Sequence, residues 1–157
     1  MRLNLHTDYA LRILMYLATK SDQATVDEIA AAYGISRNHL MKVARSLVEL
    51  QVIEARRGRS GGFALAVAPE AINVGFVVRK LESLEGFVEC FDRMSNGCPI
   101  AGACGLQGAL NSALAAFLEK LDQFMLSDLI PDPNRFLRQL NRADQVPSSA
   151  KTRPMAA

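Results

Sequence analysis

The sequence predicts a mainly α-helical fold with one small β wing, and three features of its 157 residues predict it. Two short helical segments meet at a Gly-containing turn, an arginine- and glycine-rich hairpin segment follows, and a long apolar seam runs from Leu106 to Phe124. In that order they describe a winged helix-turn-helix domain followed by a long dimerisation helix.

The elements follow in turn. Residues 9–19 carry Tyr9, Ile13, Tyr16 and Leu17 at helical spacing, which marks a buried first helix. Asp22 to Thr25 is polar and reads as a turn. Thr25 with Glu28 three residues later forms a capping box that opens VDEIAAAY, and Gly34 closes it. Ser36 then caps RNHLMKVARSLVEL, where Leu40, Val43, Leu47 and Leu50 form one apolar stripe and Arg37, Asn38, Lys42 and Arg45 lie off it. VIEARRG and GFALAV read as two strands bent around Gly58-Arg59-Ser60-Gly61-Gly62. Residues 72–85 return to helix with Asn73 as cap. The expected domains are a winged helix-turn-helix over 1–85, a cysteine-bearing loop over 86–105, a dimerisation helix over 106–130, and a disordered tail over 131–157.

Charge divides the chain. Residues 1–80 hold eleven Lys/Arg against seven Asp/Glu, 11 − 7 = +4, whereas residues 81–145 hold five against nine, 5 − 9 = −4. A basic front half suits a polyanion. The candidate reading residues are Ser36, Arg37, Asn38, His39 and Lys42 at the start of the second helix of the pair, with Arg56, Arg57 and Arg59 in the hairpin. A helix of this width fits the DNA major groove, where Arg pairs with guanine and Asn with adenine, and Arg suits a narrow minor groove. The expected partner is a double-stranded operator bound by a homodimer.

No Ser/His/Asp or Cys/His arrangement can be built from His6 and His39, the two histidines, so an enzymatic reading ranks last. Arg2, His6, Asp8 and Arg12 interrupt any apolar leader, and no stretch is long enough to span a bilayer. A cytoplasmic protein without a membrane partner is expected.

The three cysteines fall in one cluster, Cys90-x7-Cys98-Pro-x4-Cys104-Gly. An odd count argues against a disulfide framework. Thiolates on an adaptable Gly/Pro loop suit an iron–sulfur cluster. Zinc with a fourth ligand and plain free thiols remain open on spacing alone, although the Cys-x2-Cys spacing common in zinc sites is absent. A small electron-transfer or metal-carrier protein would need no arginine-rich wing.

RLNLHTDYALRILMYLA, YGISRNHLMKV, RRGRSGGFAL and VECFDRMSNGCPIAGACGLQGAL resemble the winged-helix iron–sulfur regulators typified by IscR, NsrR and RirA, over residues 1 to about 130. Within that family, the TDYALR opening, the SRNHLMK recognition segment and the closing LDQFMLSDLI resemble the nitric-oxide-sensing NsrR-type repressors. The resemblance implies a [4Fe–4S] cluster, with [2Fe–2S] as the alternative, on Cys90, Cys98 and Cys104. It also implies a fourth ligand, Asp8, from the partner subunit. It further implies a repressor whose signal is nitric oxide and whose cluster loss relieves repression. The seven-residue gap between Cys90 and Cys98 departs from several NsrR proteins and resembles the iron-responsive RirA branch. Leu106, Gln107 and Gly108 stand where IscR-type proteins carry a histidine, which disfavours that branch.

On this reading Arg59→Ala weakens operator binding without unfolding the protein. Each phosphate contact adds about 0.9 to the slope of log K against log salt. An anisotropy titration showing unchanged affinity would remove the wing from DNA reading.

Overall fold

The structure is a computed structural model that describes residues 3–58, 61–83, 88, 91, 96–100 and 103–143. Helix α1 (Leu5–Ala18) buries Thr7, Ala10, Ile13, Leu14, Tyr16 and Leu17. It begins before the expected residue 9 because Asn4 caps it, the Asn4 side chain accepting from the Thr7 amide at 2.7 Å. Helix α2 (Val26–Tyr33) opens with the expected capping box: the Glu28 amide donates to Thr25 Oγ1 at 3.1 Å, and the Thr25 amide donates to Glu28 Oε2 at 2.6 Å. That backbone bond holds the Glu28 carboxyl below its ordinary range. Gly34, at φ 62°, ends the helix in the left-handed conformation that glycine adopts without strain. Helix α3 (Arg37–Glu49) then buries Leu40, Val43, Ala44 and Leu47.

Strands β1 (Ile53–Arg56) and β2 (Gly62–Leu65) pair antiparallel, with Ile53 opposite Leu65 and Arg56 opposite Gly62. The hairpin is anchored on the α1–α2 turn, where Ala24 and Phe63 exchange two backbone bonds of 2.9 Å. Gly62 permits that approach, since a Cβ there would stand 2.5 Å from the Ala24 carbonyl oxygen. After a 3-10 turn at Pro69–Ala71, helix α4 (Val74–Leu81) starts at the expected Asn73 cap, which accepts from the Phe76 amide at 2.9 Å. Buried residues from α1, α2, α3 and β1 form one core with Ala24, Val52, Ile72, Val77 and Leu126.

Helix α5 (Gly105–Asp122) is long, as expected, but it stops short of residue 130. The chain beyond it is captured by the start of α4: the Val74 amide donates to the Phe124 carbonyl at 3.0 Å, and the Leu126 amide donates to the Ile72 carbonyl at 2.8 Å. Phe124, the last residue of the apolar seam, therefore lies outside the helix, and a 3-10 turn occupies Leu126–Leu129. A second apolar cluster joins Val74 and Val78 of α4 to Leu118 of α5.

The expectation of a disordered tail from residue 131 is corrected over its first part. Residues Pro133–Ala143 form helix α6. Proline at its first position and Asp132 before it, whose Oδ1 accepts from the Arg135 amide at 2.9 Å, are start signals that the biased composition hid. Residues 144–157 lie outside the described residues, as does much of the expected 86–105 loop.

Helices α4 and α5 meet at one tight point. A Cβ on Gly75 would fall 2.1 Å from Asp122 Oδ1 and 2.8 Å from the Asp122 amide nitrogen. The Asp122 carboxylate pairs with Arg79, and the Asp122 carbonyl accepts from Asn73 Nδ2 at 2.7 Å. The Arg79 bond holds the Asp122 carboxyl below the usual carboxylate range. Because that pKa is depressed, the contribution is present above the ordinary carboxyl range and is lost as pH falls through the lowered value.

Gly75→Ala tests this contact by its sign. Alanine is the better helix former by about 1 kcal/mol, whereas overpacking against backbone costs about 1–3 kcal/mol. A net loss of about 1 kcal/mol in denaturant unfolding is expected. A gain would show that the two helices do not pack closely at Gly75.

Candidate functional site

The N-terminal end of α3 presents the predicted reading residues to solvent. Ser36, Arg37, Asn38, His39 and Lys42 are all exposed, and the Ser36 hydroxyl makes no capping bond. Arg37 Nε lies 2.9 Å from Asp27 Oδ1, joining α3 to the start of α2. Both side chains are more than half exposed, so this pair is weak and open to exchange for another anion. At the other end of the apolar stripe, His6 Nε2 lies 3.1 Å from Ser46 Oγ, fastening the first turn of α1 to α3.

The hairpin arginines differ from one another. Arg56 pairs with Asp22 on the α1–α2 turn and with Glu54 at 3.0 Å, so its guanidinium clamps the hairpin to the domain. Arg57 is exposed and has no ion-pair partner among the described residues. Arg59 lies outside the described residues. Glu54, two residues before Arg56, shares its strand face and was a legible hint of that pairing. Asp22, far away in sequence, was not.

Cys98 and Cys104 are half-buried free thiols, and Cys90 lies outside the described residues. Cys104 is the residue that precedes α5, and its own side chain makes no capping bond. The Cys98 amide donates to Asn96 Oδ1 at 3.0 Å. Beside Cys104, Gly105 has open space where a Cβ would stand. Soft sulfur donors with open space beside one of them suit an iron–sulfur group.

Asp8 sits in the first turn of α1, where its Oδ2 accepts from Arg12 Nε at 2.9 Å. Arg12 in turn lies over the Tyr33 ring, 5.7 Å from its centroid, and the Tyr33 hydroxyl donates to the Arg12 carbonyl at 3.2 Å. Burial pushes the Tyr33 hydroxyl up to about 12. Among the described residues no three His, Cys, Asp or Glu side chains come together, so Asp8 is not gathered with Cys98 and Cys104 within one chain.

Two residues that the sequence did not single out for this region are Asn4 and Glu82. The Asn4 amide donates to Glu82 Oε1 at 2.9 Å, and Asn4 Nδ2 donates to Glu82 Oε2 at 3.1 Å. Glu82 closes α4 immediately before the cysteine-bearing segment, and Asn4 caps α1. The pair ties that segment's entrance to the helix carrying Asp8.

No described helix is long and apolar enough to cross a membrane. Residues 3–132 match the family described as "Rrf2: Iron-dependent Transcriptional regulator". The HTH-type transcriptional regulator NsrR of Bacillus licheniformis is 45% identical over 143 residues, covering 90% of this chain and 100% of that protein. NsrR of Bacillus subtilis is 44% identical over 142 residues, covering 89% and 97%. Among solved structures, the global cysteine regulator CymR of B. subtilis superposes with TM-score 0.62 at 25% identity, covering 82% of this chain and 95% of that one. T. potens IscR shares the fold at TM-score 0.64 and 19% identity, covering 97% of each chain. The matched family is one of DNA-binding regulators and not of enzymes. The chain belongs to the Rrf2 family of transcriptional regulators and is closely related to its NsrR members.

Proposed function

We propose that this chain is a homodimeric repressor of the NsrR type, which holds an iron–sulfur cluster on Cys90, Cys98 and Cys104 and responds to nitric oxide. The observation that carries the reading is the 45% identity to an NsrR protein along that protein's full length. The three cysteines that the sequence places within fifteen residues support it further.

When bound, the cluster supplies iron able to react with nitric oxide. The chain's own residues do the rest. Cys104 would bring one ligand to the head of α5 and Cys90 and Cys98 the others from the preceding segment, and [4Fe–4S] is the form the resemblance favours. Asp8 is the fourth ligand that the resemblance implies, supplied by a second chain, and its separation from the two sulfurs within one chain is compatible with that. To reach a ligand across a dimer, the Asp8 carboxylate would have to share or leave Arg12, which it now holds. The exposed, otherwise little-packed first half of α5, including Leu106 at 64% exposure, offers the apolar surface for that dimer. Two such heads on a two-fold axis would read a near-palindromic operator through Ser36, Arg37, Asn38, His39 and Lys42, with Arg57 and Arg59 in the wing. Arg56 keeps the wing in place.

A second reading, iron-status sensing, is favoured by the seven residues between Cys90 and Cys98.

Anaerobically purified protein separates these readings. Native mass spectrometry should find a [4Fe–4S] mass that Cys98→Ala loses, and nitric oxide should then abolish the loaded protein's affinity for its operator. A zinc mass would overturn the cluster. Undiminished affinity after complete nitrosylation would leave iron status as the signal.

A further inference from the structure

We propose that α6 is a further DNA-contacting element, whose Arg135 and Arg138 bind phosphates flanking the stretch read by α3 and the hairpin. The inference rests on the family's DNA-binding function and extends it to a helix that begins just past residue 132, where the family match ends.

Charge singles the helix out. Residues 81–132 hold two Lys/Arg and eight Asp/Glu, 2 − 8 = −6, whereas residues 133–143 hold three Arg and no acid, 3 − 0 = +3. An isolated basic helix in an acidic half of the chain needs a reason. Its apolar side supplies the placement: Phe136, Leu137 and Leu140 are half-buried, Leu140 packs against the main core, and α6 lies on α2. Arg135 and Arg138, three residues apart and so on one helix face, are exposed.

In a helix-turn-helix the first helix crosses the DNA backbone while the second enters the groove. Here α2 is that first helix, and α6 docks on it, which would set α6 near the phosphate strand. Arg12, Arg37, Arg56 and Arg79 each pair with a carboxylate, whereas among the described residues Arg135 and Arg138, like Arg57 of the hairpin, do not. Their guanidinium groups are open to phosphate, for which the planar fork is well matched.

The test uses full-length protein and a duplex that the wild type selects from a random pool. That duplex is compared with the same site trimmed of its flanks. Arg135→Gln/Arg138→Gln should weaken binding to the long duplex and flatten the plot of log K against log salt by about 0.9 for each lost phosphate contact. On the trimmed duplex, wild type and variant should bind alike, and Arg135→Lys/Arg138→Lys should keep the wild-type slope. Equal affinity and slope on the long duplex for wild type and the Gln variant would overturn the proposal while leaving DNA reading by α3 intact. A wild type that selects no duplex would overturn both.

Discussion

The close approach of α4 to the end of α5, possible only because residue 75 has no side chain, sets how the two halves of the molecule are joined. Asp122 is held there three ways: by Gly75 against its backbone, by Asn73 on its carbonyl and by Arg79 on its carboxylate. Among the described residues the later turns of α5 pack on α4, through Leu118 and its neighbours. The helix has 18 residues, which at 1.5 Å per residue makes an arm of about 27 Å with Cys104 at its start. On the proposed reading, a constraint placed on Cys104 by a bound cluster would act at the far end of that arm from Asp122.

A second connection runs from the same segment into the DNA-reading half. Glu82, just before the cysteine-bearing stretch, grips both the amide and the side chain of Asn4. Asn4 caps α1, and α1 touches α3 through His6 and Ser46. The first turn of α1 thus stands between Glu82 and the recognition helix. The α4–α5 connection adds an apolar cluster and a close backbone approach to its ion pair, whereas the Glu82–Asn4 connection is made of polar contacts at exposed positions. Contacts of the second kind rearrange at little cost.

The sequence revealed whatever local rules determine. The Thr25–Glu28 box, the Gly34 stop, the Asn73 cap and the α3 stripe were legible because each depends on residues within a turn or two. The length of α5 was overestimated for a non-local reason: helical periodicity continues through Phe124, but Ile72 and Val74 take the backbone bonds of Phe124 and Leu126. The start of α6 carried a local signal, Asp132-Pro133, that overall composition outweighed. At the site, exposure of the α3 residues followed from their place off the apolar stripe. The role of Arg56 did not, because its partner Asp22 lies 34 residues away. The Asn4–Glu82 clasp spans 78 residues and left no local mark in either segment.

The central proposal is that a cluster on the three cysteines, one of them at the start of α5, would alter how the reading heads meet a duplex. The most direct test is to measure, at one salt concentration, the affinity of fully loaded and fully metal-free protein for the same duplex. Coupling of ordinary size, about 5- to 150-fold, is the predicted difference, with the loaded protein binding more tightly. Identical affinities would contradict the account.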